Sequence, residues 1–319
     1  MGEVYRDIGQ EPVRLLAEEN GKTMALCYAH VVPARRGRHL SVPYGPVMIS
    51  DNSELLNMLI DELKKIAKEK DCSFIRLSPF WPESQNLMKA VRSPLHLLAE
   101  HIWYLPLTSS DDWTKGDQQK SEDDLFKNFR ATHRNLIRRA EKEGVTIEAS
   151  TDPVRDLDHF IRLHDETRKR HKFTPYSNAF FRAQVSHFSK KNQCTVYLAK
   201  YQDHVIAASV HMHAFGETSY HHGASDSAHH KIPASYLLQW TAIQDALKRG
   251  DHIYNFWGIA PVDSEGKAKP GHPFSGVTLF KTGFAGNLLN LTHCRDIPVS
   301  ASYWLTNLFE RLRKWRRGF

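Results

Sequence analysis

The spacing of hydrophobic and polar residues predicts two copies of one strand-turn-strand unit. Residues 13–22 and 23–32 form two strand-like runs around Asn20-Gly21, a dipeptide that favours the tight turn of a β-hairpin. The same spacing returns at an offset of 182 positions, so that residues 15–25 correspond to residues 197–207. Each copy is followed by another apolar run and a strong helix pattern, at 54–70 and at 235–249. The pattern predicts an α/β (α+β) protein with two related domains in tandem.

Breaks in this pattern indicate the domain boundaries. Residues 108–120 are polar and rich in Ser, Asp, Gly and Gln, which is typical of a linker. We expect a first domain over residues 1–117, a second over residues 118–292 and a C-terminal helix within residues 293–319. The first residues resemble the middle of a helix with no preceding cap. We therefore expect that the N-terminus is truncated and that the natural start lies upstream of Met1.

Three further helices are predicted after the linker. Ser121 and Asp124 resemble a capping box that opens a helix ending at Gly144, and Asp152-Pro153 opens another. Residues 300–317 place apolar side chains on one side of a helix and basic residues elsewhere. We expect the apolar side of this last helix to dock on a domain, with a role at a membrane surface as the alternative.

Composition and charge narrow the class of protein. The chain has 319 residues and a formal net charge of +7, which suits a polyanionic partner without identifying one. Its 4 cysteines are isolated, with no spacing typical of zinc or redox sites. No apolar run approaches the roughly 20 residues that span a bilayer. We expect a soluble, cytoplasmic protein.

One lysine is the leading candidate for chemistry. Lys281 lies in residues 280–287 (FKTGFAGN), between a strand-like apolar run and a turn punctuated by glycines. Backbone can approach a ligand closely there, and a cation could meet developing negative charge. Phe280 and Phe284 are expected to shape the pocket around it. Together with residues 132–140 (THRNLIRRA) and Gly144, this stretch resembles the FemABX family of non-ribosomal peptidyltransferases.

The resemblance covers nearly the whole chain and implies a fold and a reaction. It implies two GNAT-like domains, each with a mixed central sheet flanked by helices, and a C-terminal helix that packs back on the first domain. The chain resembles compact members without a coiled-coil arm. The implied reaction moves an amino acid from aminoacyl-tRNA, as co-substrate without another cofactor, to a stem-peptide amino group of a peptidoglycan precursor. If that precursor is lipid II, peripheral contact with the membrane is implied.

Several substrate-binding residues follow from the resemblance alone. Residues 167–173 (TRKRHKF) match a family segment whose basic residue and nearby tyrosine meet the precursor's phosphates, which implies Arg170 and Tyr176. Arg6 matches a further phosphate-binding position. Ser78 stands where relatives carry an acidic residue, a change that removes the possibility of pairing with an amine. Residues 221–226 (HHGASD) correspond to a family segment beside the cleft, which adds Ser225 as a candidate contact, and Tyr236 is a further candidate.

Four basic residues form a candidate tRNA-binding stripe. Lys127, Arg130, Arg134 and Arg138 recur at spacings of three and four, which would align them on one face of the helix predicted to start at Ser121. Such a stripe can follow a phosphate backbone. Alternatively, these four residues form a solvated face or pack between domains.

Other classes of function remain open at this stage. Histidines 211, 213, 221, 222, 229 and 230 invite a metal site, but no accompanying motif supports one, and we predict no metal. The duplicated pattern also suits a GNAT-type N-acyltransferase that uses acyl-CoA on another amine. Residues 230–236 oppose this reading, because they contain no glycine and Pro233 has no N–H to offer a pyrophosphate. A non-catalytic RNA-binding or cell-wall scaffold is the second alternative.

Overall fold

A computed structural model describes residues 1–34, 37–83, 90–96, 98–109, 118–171, 176–263, 267–268 and 271–317. The side chains of residues 169–171 and 317 lie outside this description. Contacts divide the chain into two compact units, one of residues 1–100 with 290–319 and one of residues 101–289.

The elements of the described chain are numbered in order. Its first half contains α1 (Gly2–Asp7), β1 (Pro12–Glu19), β2 (Lys22–Val32), β3 (His39–Pro43), β4 (Val47–Met48), α2 (Ser53–Glu69), β5 (Phe74–Ser78), β6 (Val91–Arg92), β7 (His101–Pro106), α3 (Glu122–Asn128), α4 (Ala131–Lys142) and β8 (Thr146–Ala149). Its second half contains α5 (Pro153–His171), α6 (Asn178–Ser189), β9 (Cys194–Tyr201), β10 (His204–Ala214), β11 (Glu217–Ser225), α7 (Ala234–Arg249), β12 (Ile253–Gly258), α8 (Ser275–Thr282), β13 (Asn287–Asn290), β14 (Arg295–Pro298) and α9 (Tyr303–Arg317).

The first unit is a mixed sheet covered by α2. Its strand order is β1-β2-β3-β5-β14-β6, with β4 paired to β2. Only β3 and β5 run parallel among these described pairs. The side chain of Asn52 caps α2 by accepting from the amides of Glu54 and Leu55. The core between sheet and helix includes Leu56 and Leu63, both fully buried.

The second unit is also a mixed sheet flanked by helices. Its strand order is β13-β7-β12-β11-β10-β9-β8. Strand β11 runs parallel to β12, while β10 is antiparallel to both of its neighbours. Because β7 pairs with β12, the unit begins at His101 and not at residue 118, where the sequence pattern placed the boundary. The fold class predicted from the sequence, two mixed α/β domains, is confirmed.

The two hairpins repeat in three dimensions as they do in sequence. Ala17 pairs with Ala25 in the first hairpin, and Ala199 pairs with Ala207 in the second, at the same offset of 182 positions. Both turns use two consecutive residues with positive φ: Asn20 and Gly21 (49° and 75°), then Gln202 and Asp203 (48° and 63°). This backbone matches the twist of the flanking strands. The internal repeat therefore extends to register and turn type.

The single helix predicted from Ser121 to Gly144 is wrong. The side chain of Ser121 caps a short helix, α3, but Phe129 adopts an extended conformation with ψ of 149°, and α4 then begins at Ala131. Phe129 is buried against Trp240 and Phe284, with ring centroids 5.4 and 5.3 Å away. Core packing of this ring coincides with the break between the two helices.

The last residues of the chain belong to the first unit. Strand β14 pairs with β5 and β6, and Glu310 of α9 forms an ion pair with Arg76 of β5 at 2.6 Å. The expected face of α9 is reversed, however. Its polar residues Tyr303 and Asn307 are buried, whereas its leucines and tryptophans are exposed to solvent. The prediction that the apolar side docks on a domain is therefore wrong.

Candidate functional site

The parallel strands β11 and β12 of the second unit diverge beside the candidate site. Their paired residues run from Glu217 opposite Ile253 to Ser219 opposite Asn255, where the ladder ends. Just beyond, Trp257 has a φ of +65° and its amide donates to Asn255 Oδ1 at 2.8 Å. This local turn accompanies a shift in register against β7. The rest of β11, from residue 220 to 225, is consequently not paired with β12.

Lys281 lies at the end of β12, in the last turn of α8. Lys281 is thus in a helix, whereas the sequence suggested a position beside a strand-like run. Its side chain is 7% exposed, and Nζ donates a hydrogen bond to the carbonyl of Gly258 at 2.7 Å. Nζ also lies 5.6 Å from the centroid of the Tyr220 ring. Burial lowers the pKa of Lys281 from 10.5 to about 7.

This lysine has a hydrogen-bond partner but no counter-ion within the described ranges. Desolvation is the one cause of its lowered pKa, and no carboxylate contributes to it among the residues described. A buried amine in this state changes protonation near neutral pH. A negative charge brought to it by a ligand would favour its protonated form.

Helix α8 is fixed to α4 by a close contact between a glycine and a histidine. His133 is 3% exposed, its Nε2 lies 2.9 Å from the carbonyl of Phe280, and the amide of Arg130 donates to the carbonyl of Gly283. A Cβ on Gly283 would lie 1.9 Å from the His133 ring. Only glycine therefore allows this approach. The contact brings residues 132–140 and 280–287 together in the fold.

Aromatic rings connect Lys281's helix to a cavity. Phe280 is half-buried and meets the ring of Tyr236 edge-on at 5.0 Å. Phe284 is fully buried and lies 5.4 Å from Phe280. Of the predicted site residues, Phe280 and Tyr236 are thus in contact, while the side chain of Lys281 reaches Gly258.

The cavity lies at the start of α7 and has a volume of about 590 Å³. Its lining includes Ser225 and Tyr236, two of the predicted substrate contacts, together with residues of α4, β10 and the loop before α7. His229 Nδ1 lies 2.6 Å from Asp226 Oδ2 on this wall, within hydrogen-bond distance. The volume falls within the usual range for small-molecule pockets. Helix α7 presents its N-terminus here, although Pro233 supplies no N–H.

Tyr176 borders a second group of rings in the same unit. It is 44% exposed and stacks on Phe180 at 4.3 Å, while His222 meets it edge-on at 5.7 Å. His222 in turn contacts His221, whose ring lies 4.9 Å from that of Trp257. A chain of ring contacts therefore leads from Tyr176 to the strand end that binds Lys281. Arg170 lies in α5, but its side chain is outside the described residues.

Two of the predicted substrate contacts belong to the first unit. Arg6 is exposed on α1 and forms an ion pair with Glu3. Ser78 ends β5 and is 5% exposed, with its hydroxyl 3.3 Å from Cys294 Sγ. Ser78 thus occupies a buried position in which its hydroxyl contacts a thiol.

The predicted basic stripe does not form one helical face. Lys127 lies on α3, Arg130 is the N-cap of α4, and Arg134 and Arg138 lie on α4. Arg134 Nη1 donates to the carbonyls of Lys127 (2.7 Å) and Phe129, so this side chain satisfies the end of α3. Arg130 and Arg138 are exposed, and Arg138 covers the ring of Phe126.

The histidines enter hydrogen-bond networks. His211 contacts Tyr254 and Ser209, and His213 contacts Thr195 and Thr218. Over the described ranges, no group of three or more His, Cys, Asp or Glu is arranged to hold a metal ion. The same ranges contain no helix of the length and apolarity that crossing a membrane requires.

Sequence reasoning missed His133, Tyr220 and Trp257 as parts of this region. Two glycines carried a usable signal. A Cβ on Gly223 would lie 1.9 Å from the hydroxyl of Tyr220, much as one on Gly283 would meet His133. Each glycine marks where a ring lies against backbone.

Comparison with known proteins defines the class first. The model of the acetyltransferase (GNAT) domain matches residues 127–265, within the second unit. A tandem GNAT protein from the clavulanic acid biosynthesis pathway superposes with a TM-score of 0.52 at 10% identity, covering 91% of this chain and 84% of that one. The chain therefore has the tandem GNAT fold.

The first unit resembles a more particular group of proteins. The FemAB family model matches residues 5–100. Aminoacyltransferase FemA from Staphylococcus epidermidis is 19% identical over 386 residues, covering 95% of this chain and 89% of FemA. The crystal structure of FemX superposes with a TM-score of 0.77 at 17% identity, covering 97% and 92% of the two chains. The chain is thus similar to FemABX proteins over nearly its whole length.

Proposed function

We propose that this protein transfers an amino acid from aminoacyl-tRNA to a stem-peptide amino group of a peptidoglycan precursor, either the soluble nucleotide precursor or lipid II. The observation that supports it best is Lys281, a buried amine at the divergence of two parallel strands, in a chain that is similar to FemABX proteins. The name of the relative, aminoacyltransferase FemA, points to the same reaction class.

The proposed chemistry needs no covalent intermediate with the protein. The acceptor amine attacks the ester carbonyl, an N–C bond forms, and the tetrahedral intermediate expels the ribose hydroxyl of the tRNA terminus with the proton that the amine loses. An activated ester and an amine react readily once positioned, so orientation supplies much of the acceleration. Protonated Lys281 would donate a hydrogen bond to the oxyanion, with Phe280 and Tyr236 shaping the wall beside it.

The remaining predicted contacts take more limited roles in this proposal. Lys127, Arg130 and Arg138 are the exposed members of the basic set and would follow the tRNA backbone. Arg134 is engaged by backbone carbonyls, so its proposed contribution is to hold α3. Tyr176, Arg170, Arg6 and Ser78 remain proposed contacts of the precursor on the strength of the family resemblance.

A GNAT-type acyltransferase using acyl-CoA is the second candidate. The cavity at the start of α7 favours it, because a helix N-terminus can bind a pyrophosphate there. The missing glycine and the proline N-cap oppose it.

One incubation separates the candidates. The protein is mixed with charged tRNAs and each precursor, with and without ribonuclease, and the acceptor is weighed by mass spectrometry. We expect an aminoacyl mass increment that ribonuclease abolishes. An increment that survives ribonuclease and requires acetyl-CoA supports the second candidate, and tRNA binding with no product supports a non-catalytic scaffold.

Lys281→Met tests the assigned role within that assay. It removes the charge and keeps the approximate length of the side chain, so we expect a loss of about 100-fold to 1000-fold in rate with little change in affinity. Near-normal turnover would contradict the role of Lys281.

A further inference from the structure

Helix α9 attaches to the first unit through its polar side. Tyr303 and Asn307 are 0% and 3% exposed, and Asn307 Nδ2 donates to Tyr303 Oη at 2.8 Å. Glu310 accepts from both terminal nitrogens of Arg76, which itself binds Asp296 through two hydrogen bonds. This buried network specifies which face of α9 points inward.

The opposite side of α9 is an exposed apolar stripe. Its members are Trp304, Leu305, Leu308, Leu312 and Trp315, which are 55%, 74%, 57%, 57% and 84% exposed. Their spacing places them on adjacent turns of one helical face. Contiguous apolar surface of this kind marks a contact site in a water-soluble domain.

Basic side chains border the stripe. Arg311 follows Leu308 by three positions and precedes Trp315 by four, while Arg313 follows Phe309 by four. Lys314 and Arg316 are exposed on the same half of the helix. Glu310 is the one acidic residue in the sequence of α9, and it is bound to Arg76. The free charge around the stripe is therefore positive.

We propose that α9 docks the protein on an anionic phospholipid surface. The helix would lie in the plane of the interface, with its tryptophans and leucines at the boundary of headgroups and acyl chains and its arginines on the phosphates. A second copy of the chain fits less well, because facing stripes would bring their arginines together. Docking needs no substrate, so the proposal goes beyond the function proposed above.

Vesicle flotation tests the proposal with the full chain. One set of vesicles mixes phosphatidylglycerol with phosphatidylcholine, and the other contains phosphatidylcholine alone. We expect flotation with the first set, and little with the second or at high salt. Leu308→Gln with Leu312→Gln should abolish it, and Arg313→Gln with Arg316→Gln should weaken partitioning by about fivefold for each charge.

The matched control removes two other exposed aliphatic side chains of the first unit. Val47 and Ile49 are 62% and 66% exposed outside α9, and their change to glutamine should leave flotation unchanged. Thermal melts verify that all variants fold. The proposal would be overturned by equal binding to both vesicle sets, by no binding at all, or by wild-type binding of the leucine variant. A dimer, seen by sedimentation, that the leucine variant dissociates would also overturn it, because the stripe would then be an interface between copies.

Discussion

Replacing Lys281 by methionine should stabilise the fold, most strongly at acidic pH. The pKa of this lysine is about 7 in the folded protein and 10.5 as a free side chain. Between these values the unfolded chain binds more protons, so wild-type stability rises with pH through this window. Below it, wild type carries the full cost of burying a charge, about 5 kcal/mol at about 1.4 kcal/mol per pH unit. The methionine variant buries no charge and avoids this cost, although it loses the hydrogen bond to Gly258, worth about 1 kcal/mol.

Urea unfolding at several pH values measures this effect. The Lys281→Met variant should exceed wild type in unfolding free energy, and this difference should shrink by roughly 2 to 3 kcal/mol between about pH 6 and about pH 9. Subtracting the two proteins removes the titration of all other groups. Lys248→Met, at a lysine whose side chain is 68% exposed on α7, is the control for removing a lysine charge. A difference in unfolding free energy that stays constant with pH would refute a buried amine of lowered pKa. A variant that is less stable than wild type at every pH would refute it as well.

Two structural contacts give further predictions. Arg76→Ala should cost about 3 to 5 kcal/mol of unfolding free energy, because it leaves buried carboxylates unpaired, whereas Arg14→Ala at an exposed pair should cost at most about 1. A small loss at Arg76 in a thermal melt would contradict the network. Gly283→Ala should destabilise the protein through its clash with His133, whereas Gly276→Ala in the same helix meets open space and should be neutral or stabilising by up to about 1 kcal/mol. Adding His133→Ala should recover stability in the first variant, and no recovery would count against the clash.

Local patterns predicted much of the architecture. The Asn20-Gly21 turn and its repeat 182 positions later were visible in sequence because a two-residue turn requires particular backbone angles. The helices predicted at 54–70 and 235–249 appear as Ser53–Glu69 and Ala234–Arg249. Each combines regular apolar spacing with local end signals, which depend little on distant parts of the chain.

The errors arose where tertiary contacts outweigh local pattern. Phe129 interrupts a helical run of residues because its ring is buried against Trp240 and Phe284, which are distant in sequence. The apolar face of α9 points outward because Arg76 and Asp296 bind its polar face. Arg76 lies over 200 positions earlier in the chain, and Asp296 lies only a few residues earlier. An amphipathic pattern shows that a helix has two faces, but it does not say which face the fold will bury.

The candidate site was only partly accessible from sequence. Lys281 and Phe280 stood out beside glycines, and the structure places Phe280 against Tyr236. The lowered pKa of Lys281 arises from burial by residues of several elements, which no local pattern contains. Arg170 and Tyr176 rested on resemblance, and their role in binding stays a prediction.

The donor of the transferred group is the most direct test of this account. One reaction would contain a peptidoglycan precursor, charged tRNA carrying an isotopically heavy amino acid, and acetyl-CoA in equal amount, with wild type and Lys281→Met run in parallel. We predict that the heavy aminoacyl group appears on the precursor with wild type and falls by about 100-fold or more with the variant. An acetylated precursor, or heavy product at equal rates from both proteins, would contradict the account.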